Sequence, residues 1–237
     1  MIKTKAEIIE IVKELPTPLV GGMCFDNNKT INVRDSCIEM MNYVMDLSKP
    51  KKILETGCHV GTSSLLMLSL SMAHVTSTDI GMNWITERRS FKDWGIPDED
   101  GTGLCKVEEV LLKHFPDRFR LIIGDSTSWQ FYEFIKNEKF DLILIDGNHD
   151  FQYVKRDIEL AIKLNIPYIL LDDYNVRYDV VKIEKDKCER GKATRELDLI
   201  HIKTFESVHN NANIDVGFFK NPYYKAKPKN CLTIKLN

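Results

Sequence analysis

The chain repeats one pattern five times: a short apolar run that closes on a small or acidic residue, followed by a loop or helix-like spacing. The runs lie at 52–55, 74–79, 119–123, 140–146 and 167–172. Each ends at or beside an acid: Glu55, Asp79, Asp125, Asp146 and Asp172. Residues 62–73, 129–136 and 151–164 carry helical spacing between them. Runs that are apolar on both faces suit strands inside a parallel sheet, where helices cover each side and leave no solvated face. Strands alternating with helices of this length build βαβ units. The expected fold is α/β: a Rossmann-like, doubly wound, mostly parallel sheet of seven strands with helices on both faces. The last two strands, near 216–220 and 231–236, form an antiparallel hairpin at its edge. Ligands of such sheets bind beyond the carboxyl ends of the strands, and the five acids fall on that edge.

Three stretches lie outside the pattern. Residues 1–50 read as one or two helices broken at Leu15-Pro-Thr-Pro18 and Gly21-Gly22, and are assigned as an N-terminal substrate or lid segment. Residues 51–237 form the nucleotide-binding domain, with insertions at about 81–113 and 174–212. The first insertion contains Trp84 and Trp94 among glycines and a proline, so part of it is loop. Acceptor selectivity is expected in these three segments, because loops on a rigid scaffold carry specificity.

Composition narrows the partners. A formal net charge of −2, with lysines and acids mixed along the chain, offers no electrostatic footprint for duplex nucleic acid or an anionic membrane. Nucleic acid is therefore disfavoured as a partner, and homo-oligomerisation is left open. No apolar run approaches the roughly 20 residues needed to span a bilayer. The start, MIKTKAEIIEIVKEL, is amphipathic and charged, unlike a secretory h-region. Cys24, Cys37, Cys58, Cys105, Cys188 and Cys231 are scattered without a CxxC pair, which fits reduced thiols in a cytoplasmic protein.

Chemistry concentrates at Glu55-Thr-Gly57-Cys-His-Val-Gly61-Thr-Ser63, a strand-to-helix turn. Gly57 can turn sharply and Gly61 lets the helix start pack near a ligand. The helix N-terminus adds N–H groups and a positive dipole end. His59 stands where dinucleotide enzymes place the glycine that admits a pyrophosphate, which argues against NAD and FAD. Asp79, at the end of the second run, can accept both ribose hydroxyls of a nucleoside, or cap a following helix. Gly124-Asp125-Ser126 can receive an adenine amine, with the same capping alternative. Together the three turns indicate a nucleoside site. Cys58 reads as a small packing residue, because no base partner for a nucleophile is visible.

The segment ETGCHVGTS at 55–63 resembles the E-x-G-x-x-x-G-x-S turn of class I methyltransferases related to catechol and caffeoyl-CoA O-methyltransferases. LIIGDS at 121–126 resembles their adenine-contacting segment. LILIDGNHDFQYVKRDIELA at 142–161, with YILLDDY at 168–174, is closest to the macrocin-type sugar O-methyltransferase and cephalosporin hydroxylase-like branch. The resemblance covers about 52–175, roughly half the chain, in four ordered motifs.

It implies S-adenosylmethionine as cofactor, with Glu55 and Gly57 at its methionine end, Cys58, His59, Gly61 and Ser63 in the same turn, Asp79 on the ribose, and Gly124, Asp125 and Ser126 on the adenine side. It also implies a divalent cation, usually Mg²⁺, held by Asp146, Asp172 and Asp173; three hard oxygen ligands suit Mg²⁺ or Ca²⁺. His149, where catechol-type relatives carry a catalytic lysine, becomes the base that takes the acceptor's proton, with Asp146 beside it on both metal and cofactor. Without the resemblance, the Asp172–Asp173 pair is a strand-end cap and His149 a structural histidine. Asn148 departs from the D-G-D-H form of the motif. The leading expectation is O-methylation of a hydroxylated small molecule, a sugar or secondary metabolite. The alternatives are N- or macromolecule methylation, an NAD(P)-dependent oxidoreductase on a similar sheet, and a catalytically silent nucleoside-binding module.

Overall fold

The computed structural model describes residues 1–15, 33, 35–81, 102–148, 151–172 and 232–235. In chain order these form α1 (Lys5–Val12), α2 (Asp35–Ser48), β1 (Lys52–Thr56), α3 (Thr62–Leu70), β2 (His74–Asp79) and α4 (Thr102–His114). They continue with β3 (Phe119–Ile123), α5 (Trp129–Ile135), β4 (Leu142–Ile145), α6 (Phe151–Lys163), β5 (Tyr168–Leu171) and β6 (Leu232–Lys235).

The strands make one sheet in the order β3-β2-β1-β4-β5-β6. The first five are parallel, and β6 closes the edge antiparallel to β5, with Ile169 opposite Ile234. The doubly wound α/β architecture expected from the five apolar runs is thus present, with six strands among the described residues. The expected strand at 216–220 lies outside them, as do the whole insertion at 174–212 and residues 82–101 of the one at 81–113.

Side-chain alternation explains why these runs could be apolar on both faces. Along β4, Leu142 and Leu144 enter one core while Ile143 and Ile145 enter the other; along β5, Leu170 opposes Ile169 and Leu171. The first core is covered by α1, α2, α3 and α4, and the second by α5 and α6. All nine residues of α3 are buried, so its apolar and small side chains need no polar face. Ile8, Ile11 and Val12 of α1, with Met40, Met41 and Val44 of α2, join that same core. The N-terminal helices therefore belong to the body of the domain.

Helix ends are closed by side chains. Thr4 and Glu7 form a capping box on α1, and the Ser128 hydroxyl accepts the Phe131 N–H at the start of α5. The carboxyl end of α3 is held differently. The Arg118 guanidinium donates to the carbonyls of Leu68, Ser71 and Ala73 at 2.8–3.0 Å through Nη2, satisfying groups that a helix end leaves without partners.

Candidate functional site

Strand order reverses between β1 and β4, since the chain runs outward to β2 and β3 on one side and to β5 on the other. The loops leaving β1 and β4 meet there, at the position where open α/β sheets bind ligands. Gly57, at φ +91°, permits the meeting: a Cβ on it would lie 2.3 Å from the Asp146 carbonyl oxygen and 2.6 Å from the Gly147 Cα. Gly61 is also left-handed, at φ +78°, but its missing side chain faces Val107 of α4, at 2.5 Å from where a Cβ would stand. The close approach at Gly61 is thus to a packed helix, whereas the sequence had suggested a ligand.

Between the two glycines the chain makes a tight turn. The Gly57 and Cys58 N–H groups donate to the Thr78 carbonyl, and Gly61 N–H to the Cys58 carbonyl. His59 sits exposed with φ 46°, a conformation that costs a residue with a Cβ about 1 kcal/mol. Its N–H donates to Asp79 Oδ2 at 2.8 Å, which holds it there. The other Asp79 oxygen accepts the Gly81 N–H at 2.9 Å. Asp79, half-buried, thereby clips the loop after β1 to the loop after β2. No side chain caps the first turn of α3, unlike α1 and α5, so the positive end of its dipole is left at this turn.

Glu55, which the family resemblance puts at the methionine end of the cofactor, is enclosed beneath the turn. It is 0% exposed and accepts hydrogen bonds from Ser63, Ser64 and Ser77. Its carboxyl group ties α3 to β1 and β2. Burial pushes its pKa up to about 7, against the opposing pull of the three serine hydroxyls. Cys58 and Ser63 are likewise buried, at 1% and 5% exposure. Burial, with the carboxylates of Glu55 and Asp79 nearby, holds the Cys58 thiol well above its ordinary pKa. A neutral, enclosed thiol packs and does not react, in keeping with its reading as a packing residue.

The loop after β3 carries Gly124, Asp125 and Ser126. Gly124 is tied in by its N–H to the Asp79 carbonyl at 2.8 Å, and its own carbonyl accepts the Thr78 hydroxyl at 2.9 Å. Asp125 is exposed and its Oδ1 accepts both the N–H and the hydroxyl of Thr127 in a local turn, while the cap of α5 is Ser128. Ser126 points inward, donating to Asp157 Oδ1 at 2.7 Å. Asp157 is a buried carboxylate of α6, 2% exposed, that no motif had singled out. The signal was present: Val154, Asp157, Ile158 and Ala161 form one buried stripe at helical spacing, and an acid on such a stripe needs partners. Ser64 and Ser77, donors to Glu55, were not singled out either.

Beyond β4 and β5 the acids stand on neighbouring strand ends. The Asp146 N–H donates to the Thr56 carbonyl at 2.9 Å and the Asp172 N–H to the Ile145 carbonyl at 3.1 Å. Asp146 is half-buried and Asp172 is 6% exposed. Asp173 and His149 lie outside the described residues, as do Trp84, Trp94 and Tyr174; among the described residues no group of three acids, histidines or cysteines converges as a metal site. Two carboxylates at adjacent strand ends, both hard oxygen donors, are compatible with part of a divalent-cation site.

A sheet of this order, with a glycine turn at its switch point and acids along its carboxyl edge, defines a Rossmann-like nucleotide-binding architecture. The family model described as "Methyltransferase domain" matches residues 54–174, just over half of the chain. The chain belongs to that methyltransferase family. Among solved structures it is similar to an O-methyltransferase from Bacillus cereus in complex with SAH, at 16% identity and TM-score 0.54, covering 100% of this chain and 93% of the other. It is also similar to the O-methyltransferase TomG from Streptomyces achromogenes, involved in tomaymycin synthesis and bound to SAM, at 12% identity, TM-score 0.52 and coverages of 100% and 92%. The SAH-bound Podospora anserina methyltransferase PaMTH1 follows at 17% identity, TM-score 0.50 and coverages of 98% and 87%. At such identities the likeness concerns the fold. No curated protein matches the chain in sequence. No helix among the described residues is long and apolar enough to cross a membrane.

Proposed function

We propose that this methyltransferase uses S-adenosylmethionine and methylates a hydroxyl oxygen of a small molecule, a sugar or secondary metabolite, with the help of a divalent cation such as Mg²⁺. The observation that carries the reading is the turn at 57–61, clipped by Asp79 and abutting the Asp146 carbonyl at the switch point. That turn lies at the carboxyl edge of the sheet, next to the strand ends that carry Asp146 and Asp172, which supports a ligand site there. The non-dinucleotide turn, with His59 exposed in place of a glycine, supports a nucleoside sulfonium over NAD(P). Solved structures of the same fold that carry SAM or SAH support the cofactor further.

S-adenosylmethionine supplies a methyl carbon activated by a positive sulfur, and transfer forms a carbon–oxygen bond as the carbon–sulfur bond breaks. In this reading the loops after β1, β2 and β3 hold the nucleoside so that the methyl carbon faces the acceptor in line. Asp79 takes the ribose, and the segment 124–126 the adenine side. Asp146, Asp172 and Asp173 would hold the cation, whose charge would lower the pKa of the acceptor hydroxyl. His149 takes the released proton.

Calorimetric titration with S-adenosylhomocysteine, in Mg²⁺ and in EDTA, with NAD⁺ alongside, tests the cofactor. Micromolar binding of the thioether with no heat from NAD⁺ is expected; the reverse sinks the proposal. Turnover on a panel of polyhydroxylated and amine acceptors, with and without Mg²⁺, then tests the rest. Methylation confined to amines, or indifferent to EDTA, refutes the cation-assisted oxygen chemistry.

A further inference from the structure

The mechanism above leaves Asp157 without a task, although folding buries it at considerable cost unless its oxygens are partnered. Its Oδ2 accepts the Thr56 hydroxyl at 3.0 Å and its Oδ1 the Ser126 hydroxyl at 2.7 Å. Thr56 is the last residue of β1, immediately before Gly57. Ser126 belongs to the loop after β3, two strands away across β2. Asp157 reaches both from α6, the helix that follows β4. It also lies beside the β4 loop: a Cβ built on Gly147 would stand 3.7 Å from Asp157 Oδ2. One carboxylate therefore joins the end of β1 to the loop after β3, two strands that sheet pairing does not connect directly.

We propose that Asp157 is a positioning residue that fixes the distance between the loop after β1 and the loop after β3, and so pre-organises the crevice for the two ends of its nucleoside ligand. The inference rests on the S-adenosylmethionine reading for the identity of that ligand. Its physical content is independent of it. A carboxylate with two acceptor oxygens can hold two hydroxyl donors at once, in a fixed geometry and without water. An apolar residue at the same place leaves Thr56 and Ser126 without that common partner, and the two loops lose the bond through Asp157 that ties one to the other. A ligand spanning both loops must then order them on binding, which lowers affinity without altering the reacting groups.

The test uses the full chain and five variants: Ser126→Ala, Thr56→Val, the two combined, Asp157→Ala and Asp157→Asn. Two readouts are taken, the Kd for S-adenosylhomocysteine and peptide-level hydrogen exchange over 57–61 and 124–128. Ser126→Ala and Thr56→Val each remove one leg of the bridge and leave α6 intact. Each is expected to weaken binding by about tenfold, because the lost partner is a carboxylate, and the double variant by little more than either. Exchange should rise in both loops together while the peptides of β4 and β5 keep their protection. Asp157→Asn retains an acceptor oxygen and an amide that a rotated hydroxyl can accept, so it should restore part of the binding lost in Asp157→Ala; kcat at saturating cofactor should change far less than KM.

Multiplicative losses, with exchange rising only in the loop that was altered, would overturn the coupling. So would an unchanged Kd in Ser126→Ala. Should the wild-type chain bind no S-adenosylhomocysteine, the cofactor reading falls, and the exchange experiment alone decides whether Asp157 ties the two loops.

Discussion

Replacing Glu55 with glutamine removes a carboxyl group that folding strips of all contact with water. Burial raises its pKa from the ordinary 4.5 to about 7, and the negative Asp79 adds to the rise, while donation from Ser63, Ser64 and Ser77 opposes it. Between these two values the folded chain keeps a proton that the unfolded chain has released. Stability then falls with rising pH, because the slope follows protons bound in the unfolded state minus those bound in the folded state. The contribution is fully present below about 4.5 and is lost as pH climbs through about 7. At about 1.4 kcal/mol for each tenfold change in proton affinity, the loss is about 3 kcal/mol. In a domain of this size that equals a fall in Tm of roughly 6–12 °C.

Glutamine fills the same volume. Its oxygen accepts from Ser63, and its amide donates to the oxygens of Ser64 and Ser77 once those hydroxyls rotate. Thermal and urea unfolding of both proteins from pH 5 to 8 measure the difference, in which every other titrating group cancels. Glu55→Gln should gain steadily on the wild type up to about pH 7 and then hold level. Parallel curves would refute the argument, since they would mean that the buried carboxyl keeps its ordinary proton affinity.

Gly57→Ala should cost about 2–4 kcal/mol, because φ is +91° and the new Cβ collides with the backbone of Asp146 and Gly147; loss of cofactor binding and a lowered urea midpoint check it. Gly124→Ala is the matched control, with nothing within 4 Å of its Cβ, and should stay within about 0.5 kcal/mol of wild type by the same assay. Arg118→Met should destabilise by about 1–3 kcal/mol, seen in urea unfolding, because the carbonyls of Leu68, Ser71 and Ala73 lose their donor. Asp146→Asn should abolish stimulation by Mg²⁺ and lower turnover about tenfold or more, while S-adenosylhomocysteine still binds in calorimetry.

The architecture was legible in the sequence because burial writes itself into hydrophobic pattern. Strands covered on both faces must be apolar throughout, and the runs later found as β1 to β5 were read within two residues of their ends. The turn at 55–63 was legible through its glycines, since left-handed backbone and close approach leave few other choices. The individual roles around it were not. An acid at a strand end looks the same whether it faces the crevice or lies beneath it, and only the packing of α3 over β1 and β2 put Glu55 among three serines. Asp157 stands 101 residues from Thr56 and 31 from Ser126, and their meeting depends on the strand order around the switch point. Local sequence sets which stretches become strands and helices, because periodicity and turn chemistry act between near neighbours. Which polar groups then share a buried partner is decided by the tertiary structure, because every enclosed carboxylate must find donors wherever the fold brings them.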